Sequence, residues 1–188
     1  MRWLSYRIFR ALGWTVEGDL PDLPKMVIIG APHTSNWDFF LFLAVIQHFN
    51  VNVNFLGKHS LFRWPFGFMF RKVGGIPVDR RKSGGIVSQV RQAFDERERM
   101  ILVIAPEGTR GAAKNWKPGF VRIAAGAKVP VVFAGVDSTR KAIFISRAEW
   151  VGEDEADFMD RVRAFYVDKN GIRPDKKGPV RLESEPVS

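Results

Sequence analysis

The hydrophobic pattern of the chain alternates between short apolar runs and longer amphipathic stretches. Short runs rich in β-branched and other apolar residues predict buried strands at 26–30, 51–57, 100–105, 129–136 and 142–146. Apolar residues three and four positions apart predict helices at 1–13, 37–49, 85–99 and 119–127, and around Phe158, Val162 and Phe165. This alternation predicts an α/β fold: a single layered domain over 1–188 with a mostly parallel central sheet flanked by helices.

Two segments lack a single clear pattern. Around Pro65 the aromatic residues occupy every second position, as in a strand, but Phe62, Phe66 and Phe70 also share one face of a helix. The helix is the preferred prediction because proline suits a first helical turn. Residues 169–188, rich in Lys, Pro and Glu, are predicted to be extended or mobile.

Composition narrows the class of protein. The 188 residues, 46% of them apolar, are enough for one sizeable core. The absence of cysteine excludes disulfides, thiolate metal sites and a cysteine nucleophile, and it agrees with a cytoplasmic location. The longest apolar run, 39–46, is far shorter than the roughly 18–20 residues that span a bilayer. A secretory signal is not expected, because residues 1–14 contain neither a compact apolar core nor a cleavage site.

The formal net charge of +9 predicts an anionic partner. Basic residues alternate with aromatic ones in two segments, 1–14 and 61–72, a composition suited to the surface of an anionic membrane. The same segments also fit amphipathic helices that pack on their own domain, or that line a groove for an acyl chain. Nucleic acid is not an expected partner, because no recognised nucleic-acid-binding motif accompanies the charge.

His33 is the first candidate for chemistry. It follows the predicted strand 26–30, and Asp38 lies five residues later, where the next helix begins. If His33 precedes the helix and Asp38 lies in its first turn, the carboxylate can hold one ring nitrogen and leave the other free as a base. The alternative is an ordinary capped helix in which both residues are structural. With three histidines and no cysteine, no metal site is predicted.

The second candidate is the loop 105–110, directly after the strand 100–105. Backbone N–H groups near Gly108, the Thr109 hydroxyl and Arg110 together suit an anionic oxygen. The alternative is a turn that ends the strand, with Glu107 and Arg110 paired on the surface.

The third candidate is the segment 74–81. Glycines such as Gly75 permit close backbone approach, and Arg80 offers a guanidinium fork suited to phosphate. The alternative is a loop followed by a solvated basic cluster.

Taken in order, these segments resemble the glycerolipid acyltransferase superfamily. Residues 33–38 match its H-x-x-x-x-D motif, residues 75–80 resemble its second motif, residues 106–110 match its third, and residues 129–132 resemble its fourth. Pro77 stands where the second motif usually has an aromatic residue, and Phe133 where the fourth often has proline. The resemblance covers roughly residues 25–145 of the chain.

The resemblance implies transfer of a fatty acyl group from an acyl thioester, either acyl-CoA or acyl carrier protein, to a hydroxyl of a lyso-lipid such as 1-acyl-glycerol-3-phosphate. It implies that His33 is the general base, that Asp38 orients it, and that no cofactor is needed. The substrate-binding residues implied or suggested by the motifs are Lys58, Gly75, Arg80, Glu107, Gly108, Thr109 and Arg110.

A lyso-lipid acceptor resides in a bilayer, so the expected location is the inner face of the cell membrane, with peripheral association. Two alternatives remain open from the sequence. The first keeps the chemistry on a lyso-lipid without phosphate. The second is a non-catalytic basic module that binds membrane surfaces.

Overall fold

The computed structural model describes residues 2–63, 67–79, 81, 85–109 and 111–185. The strands are β1 (Thr15–Glu17), β2 (Lys25–Ala31), β3 (Asn54–Lys58), β4 (Gly75–Val78), β5 (Met100–Ile104), β6 (Val131–Asp137) and β7 (Ala142–Glu149). The α-helices are α1 (Arg2–Ala11), α2 (Asp38–His48), α3 (Gly67–Lys72), α4 (Gly85–Asp95), α5 (Gly119–Ala127) and α6 (Glu155–Tyr166). Short 3-10 helices cover His59–Phe62 and Pro174–Lys176.

All seven strands form one sheet in the order β1-β7-β6-β2-β5-β3-β4. The five neighbours β6, β2, β5, β3 and β4 run parallel, β7 is antiparallel to β6, and β1 is parallel to β7. The carboxyl ends of β2 to β6 therefore share one edge of the sheet, called here the carboxyl edge. The predicted α/β fold with a mostly parallel central sheet is confirmed.

Helices cover both faces of the sheet. On one face, α4, α5 and α6 bury a core that includes Phe94, Phe120 and Tyr166. On the other face, a second cluster joins Phe9 of α1 and Ala44 of α2 to the sheet. The connections that contain α2 and α3 lead from β2 to β3 and from β3 to β4, towards the β4 edge of the sheet. Those that contain α4 and α5 lead in the opposite direction, from β4 to β5 and from β5 to β6. Because such crossovers are right-handed, α3 lies on the same face as α2.

Most elements agree with the hydrophobic pattern, and the differences have local causes. Strand β1 was not predicted, because three residues carry too little pattern; it is held by pairing with β7. The segment around Pro65 contains a 3-10 helix and then α3, while Pro65 itself lies outside the described residues.

The segment 169–185 has little regular structure, yet it packs on the domain through the buried Leu182. Backbone pairing with Trp116 holds Leu182 in place. No helix within the described ranges combines the length and the apolar character needed to cross a bilayer.

Candidate active site

The loop between β2 and α2 places His33 at the carboxyl edge of the sheet. The Nδ1 atom of His33 lies 2.9 Å from Oδ2 of Asp38. Helix α2 begins at Asp38, so its first-turn carboxylate faces back towards the loop that precedes it. This is the arrangement that the spacing of the two residues required; the catalytic role of the pair stays a prediction.

The Asp38 carboxylate is fixed in place by the same loop. Its Oδ2 also accepts hydrogen bonds from the backbone N–H groups of Thr34 at 2.9 Å and Ser35 at 2.8 Å. Its Oδ1 is buried and has no hydrogen-bond partner among the described residues. No lysine or arginine within the described ranges forms an ion pair with Asp38. His33 is therefore the one basic side chain of the described residues that pairs with this carboxylate.

Glu107 anchors the backbone of His33. Its Oε2 accepts the N–H of His33 at 2.8 Å, and the residue is only 6% exposed. Burial raises the pKa of the Glu107 carboxyl from 4.5 to about 7, against the opposing effect of the hydrogen bond from His33. The predicted contact of Glu107 with substrate stays a prediction, and Arg110, its partner in the alternative surface pair, lies outside the described residues. The described contact of the Glu107 side chain is the internal one with His33. The reason is that β5, which Glu107 follows, lies beside β2.

An open cavity of about 590 Å³ lies beside this pair. Its lining includes His33, Ala105, Gly108, Thr109 and Gly111. Gly108 has a φ of +66°, a conformation that favours glycine, and the Thr109 Oγ1 accepts the N–H of Gly111 at 3.2 Å. The structure thus brings three of the predicted site residues, His33, Gly108 and Thr109, to one cavity, and their roles stay predictions.

Lys117 is a cation beside Gly108 of the cavity lining, and it was not assigned to the site from the sequence. A Cβ built on Gly108 would lie 3.0 Å from Cε and 3.1 Å from Nζ of Lys117. The side chain is exposed, and among the described residues no carboxylate forms an ion pair with it. The backbone N–H of Lys117 bonds to the oxygen of Pro106 at 2.9 Å, which fixes the lysine over the loop. No pattern in the sequence marks this lysine, which precedes α5, as a neighbour of Gly108.

The remaining predicted residues are more distant or lie outside the described ranges. Lys58 ends β3 at the carboxyl edge and is exposed, two strand spacings or about 10 Å from β2. Gly75 begins β4 at the opposite end of that strand, so the structure does not bring it to the cavity. Its backbone packs closely instead: an added Cβ would lie 2.6 Å from the Phe70 oxygen. Arg80 and Arg110 lie outside the described residues.

Thr34 connects the loop to the segment that follows α6. Its buried hydroxyl accepts the N–H groups of Ile172 at 3.1 Å and Arg173 at 3.0 Å. Gly171, with a φ of +67°, packs against the same side chain: its added Cβ would lie 2.8 Å from the Thr34 Oγ1. This contact joins residues 138 and 139 positions apart, so no local pattern in the sequence predicts it.

The part of the chain that the structure describes contains no group of three or more His, Asp or Glu side chains placed to hold a metal ion. In and around the cavity lie the imidazole of His33 held by a carboxylate, a buried glutamate bonded to the backbone of that histidine, and an ammonium beside Gly108. Such a set suits proton transfer next to an anionic ligand.

Comparison with known proteins places the chain in a family. The crystal structure of the 1-acyl-sn-glycerophosphate (LPA) acyltransferase PlsC from Thermotoga maritima shares the fold, with a TM-score of 0.57 and 16% identity over 87% of this chain and 72% of that chain. No curated protein matches the chain. The family model described as Acyltransferase matches residues 15–136, well over half of the chain and including His33, Asp38 and Glu107. The chain therefore belongs to the acyltransferase family.

Proposed function

We propose that the chain transfers a fatty acyl group from a thioester, acyl-CoA or acyl carrier protein, to a hydroxyl of 1-acyl-glycerol-3-phosphate. The observation that carries the proposal is the 2.9 Å contact between His33 and Asp38 beside an open cavity. Membership of the family supports acyl transfer. The activity stated for PlsC supports the choice of acceptor.

The proposed reaction begins with proton transfer to His33. With Nδ1–H donated to Asp38, Nε2 takes the proton of the acceptor hydroxyl as its oxygen attacks the thioester carbonyl. A C–O bond forms, the resulting oxyanion collapses, the C–S bond breaks, and the imidazolium returns the proton to the thiolate. The fixed charge of Asp38 stabilises the imidazolium between these steps. A base positioned in this way contributes about 10²–10⁴-fold to the rate.

Anionic groups of the substrates need cations at the same cavity. Lys117 supplies one beside Gly108, at the loop that also carries Thr109. Arg80 and Arg110 are proposed as the phosphate clamp on the strength of the family motifs. Lys58 is proposed to approach the oxyanion, because it ends a strand at the carboxyl edge. Peripheral association with the inner face of the cell membrane is part of the proposal, since the acceptor is a lipid.

The test is mass spectrometry of the lipids formed from labelled acyl-CoA or acyl carrier protein and a panel of lyso-lipids, with and without phosphate. His33→Ala is expected to abolish transfer while the thermal midpoint stays near that of the unchanged protein. His59→Ala is the matched control, because His59 is an exposed histidine outside the cavity lining. Substantial transfer by folded His33→Ala would exclude His33 as the base. Turnover of phosphate-free acceptors alone would reassign the acceptor class.

A further inference from the structure

Exposed large apolar side chains are concentrated on one side of the molecule. The eight that belong to or adjoin α1, α2 and α3, called here the α1–α3 face, are Ile8, Leu12, Trp37, Phe39, Phe40, Phe68, Met69 and Val73. On the opposite side, the large apolar side chains that the described residues expose are only Trp150 and Val167. The backbone oxygen of Trp150 accepts a hydrogen bond from Arg161 of α6, and Val167 directly follows that helix. Soluble monomeric proteins rarely expose a large apolar patch without a partner, so this asymmetry indicates an interaction surface.

The most compact part of the α1–α3 face is an aromatic group at the start of α2. Trp37, Phe39 and Phe40 are 66%, 57% and 54% exposed. The ring centroids of Trp37 and Phe40 lie 5.2 Å apart, and those of Phe39 and Phe40 lie 6.0 Å apart. The other side of the helix packs Leu41 and Ala44 into the core beneath it. Helix α2 is thus apolar both on the side that packs in the core and on the exposed side. This pattern predicts that a binding partner covers the exposed side.

The face reaches the carboxyl edge of the sheet at three points. Helix α2 begins directly after the His33 loop, and α3 begins after β3 has ended at this edge. Helix α1 leads to β1, which runs opposite to β2 and therefore begins at the same edge. Leu12, Trp37 and Phe68 accordingly lie at the end of the molecule that carries His33.

The charge on this side indicates what covers it. The basic residues of α1, of α3 and of the chain from the end of β3 to α3 include Arg10, Lys58, Arg63, Arg71 and Lys72. Within the residues described between 2 and 16 and between 33 and 78, the one acidic residue is Asp38, which is buried. The acidic Asp22 lies at the other end of the sheet, where it pairs with Arg99 at 3.0 Å. A second copy of the chain would oppose like charges, whereas a layer of anionic phosphates complements them.

We propose that the α1–α3 face docks on a bilayer that contains anionic phospholipid. The rings of Trp37, Phe39 and Phe40 enter the headgroup and upper acyl region, and the surrounding cations contact lipid phosphates. Docking in this orientation turns the His33 loop towards the membrane. The docking itself is independent of the reaction, while its use in presenting an acyl acceptor to His33 rests on the proposed function.

The experiment measures partition of the full chain onto vesicles of phosphatidylglycerol and phosphatidylcholine, compared with phosphatidylcholine alone. The double substitution Phe39→Ser with Phe40→Ser is expected to lower partition onto the anionic vesicles about tenfold or more, because two apolar rings no longer leave water. The matched control, Trp150→Ser with Val167→Ser, removes two equally exposed apolar side chains from the opposite side and is expected to change partition by less than about twofold. Phe68→Ser, on another helix, is a second test variant if the first fails to fold.

Three results would overturn the proposal: equal partition onto both vesicle types, equal loss in the control, and unchanged partition in folded variants of Phe39, Phe40 and Phe68. Gel filtration that shows a dimer dissociated by the α2 substitutions would assign the face to a second copy and overturn it as well. Transfer to a short-chain lyso-acceptor below its micellar concentration, without vesicles, separates the two proposals. If the Phe39 and Phe40 double variant keeps this transfer but no longer partitions onto vesicles, the result supports docking. Partition without transfer in the unchanged protein supports docking while contradicting the proposed function.

Discussion

Replacing Glu107 by glutamine tests the electrostatics of the loop that holds His33. The amide oxygen of glutamine can accept the same hydrogen bond from the His33 N–H, so the contact is kept while the ionisable group is removed. The buried carboxyl has a pKa raised from 4.5 to about 7, with burial as the largest cause. The unchanged protein therefore bears the cost of a buried negative charge at neutral and alkaline pH, and the variant does not.

The magnitude follows from the pKa difference. Each pKa unit corresponds to about 1.36 kcal/mol, so a rise from 4.5 to about 7 means that ionised Glu107 destabilises the folded state by about 3 kcal/mol. Between these two values the folded protein binds more protons than the unfolded chain. The contribution of Glu107 to stability is therefore greatest below pH 4.5, falls as the pH rises to about 7, and is constant above it.

The assay is urea unfolding of the unchanged protein and Glu107→Gln at several pH values from 4.5 to 8.5. Subtracting one free energy of unfolding from the other removes the titration of the groups that do not interact with Glu107; the interactions with His33 and Asp38 are smaller causes of its pKa shift than burial. We expect this difference to grow by up to about 3 kcal/mol in favour of the variant as the pH rises through the window. A difference that does not depend on pH would refute the account of Glu107 as a buried, poorly ionised carboxyl.

Three further predictions concern positions with defined contacts. Gly75→Ala is expected to lower the free energy of unfolding by about 2 kcal/mol or more, measured by urea unfolding, because the new methyl group meets the backbone oxygen of Phe70; an unchanged value would contradict the close packing. Thr34→Val leaves two backbone N–H groups without an acceptor, so it is expected to lower the free energy of unfolding by about 2 kcal/mol, measured by urea unfolding. Steady-state kinetics of the same variant are expected to show a lower kcat, with KM measured beside it; unchanged stability would contradict the account. Lys117→Gln is expected to raise KM for phosphate-bearing acceptors about tenfold, whereas the neighbouring exposed Lys114→Gln is not; equal effects would deny Lys117 a specific contact.

The sequence predicted what depends on local pattern. Helix α5 has the predicted bounds 119–127, because its apolar spacing ends at the left-handed residue Lys128. The contact of His33 with Asp38 was predictable as well, since it needs only a helix that begins at Asp38. Both follow from neighbours in the chain, where the period of the side chains decides the geometry.

Contacts between segments that are distant in the chain could not be predicted from the sequence. The hydrogen bond from His33 to Glu107 joins residues 74 positions apart. Glu107 lies next to His33 only because β5 pairs with β2, a choice of strand order that hydrophobic pattern does not reveal. Gly75 was misplaced for a related reason: its motif ends at the carboxyl edge, but the glycine lies three residues before Val78, about 10 Å away along β4.

The Thr34 hydroxyl, which accepts two backbone N–H groups from the segment after α6, affects the order in which parts of the molecule can fold during synthesis. A ribosome adds residues from the amino end, so Thr34 is synthesised long before Ile172 and Arg173, which later complete its hydrogen bonds. The strands on either side of β2 can assemble earlier, but the turn bearing the imidazole lacks these bonds until residue 173 has emerged. A nascent chain would thus acquire its sheet before the His33 loop is fully fixed.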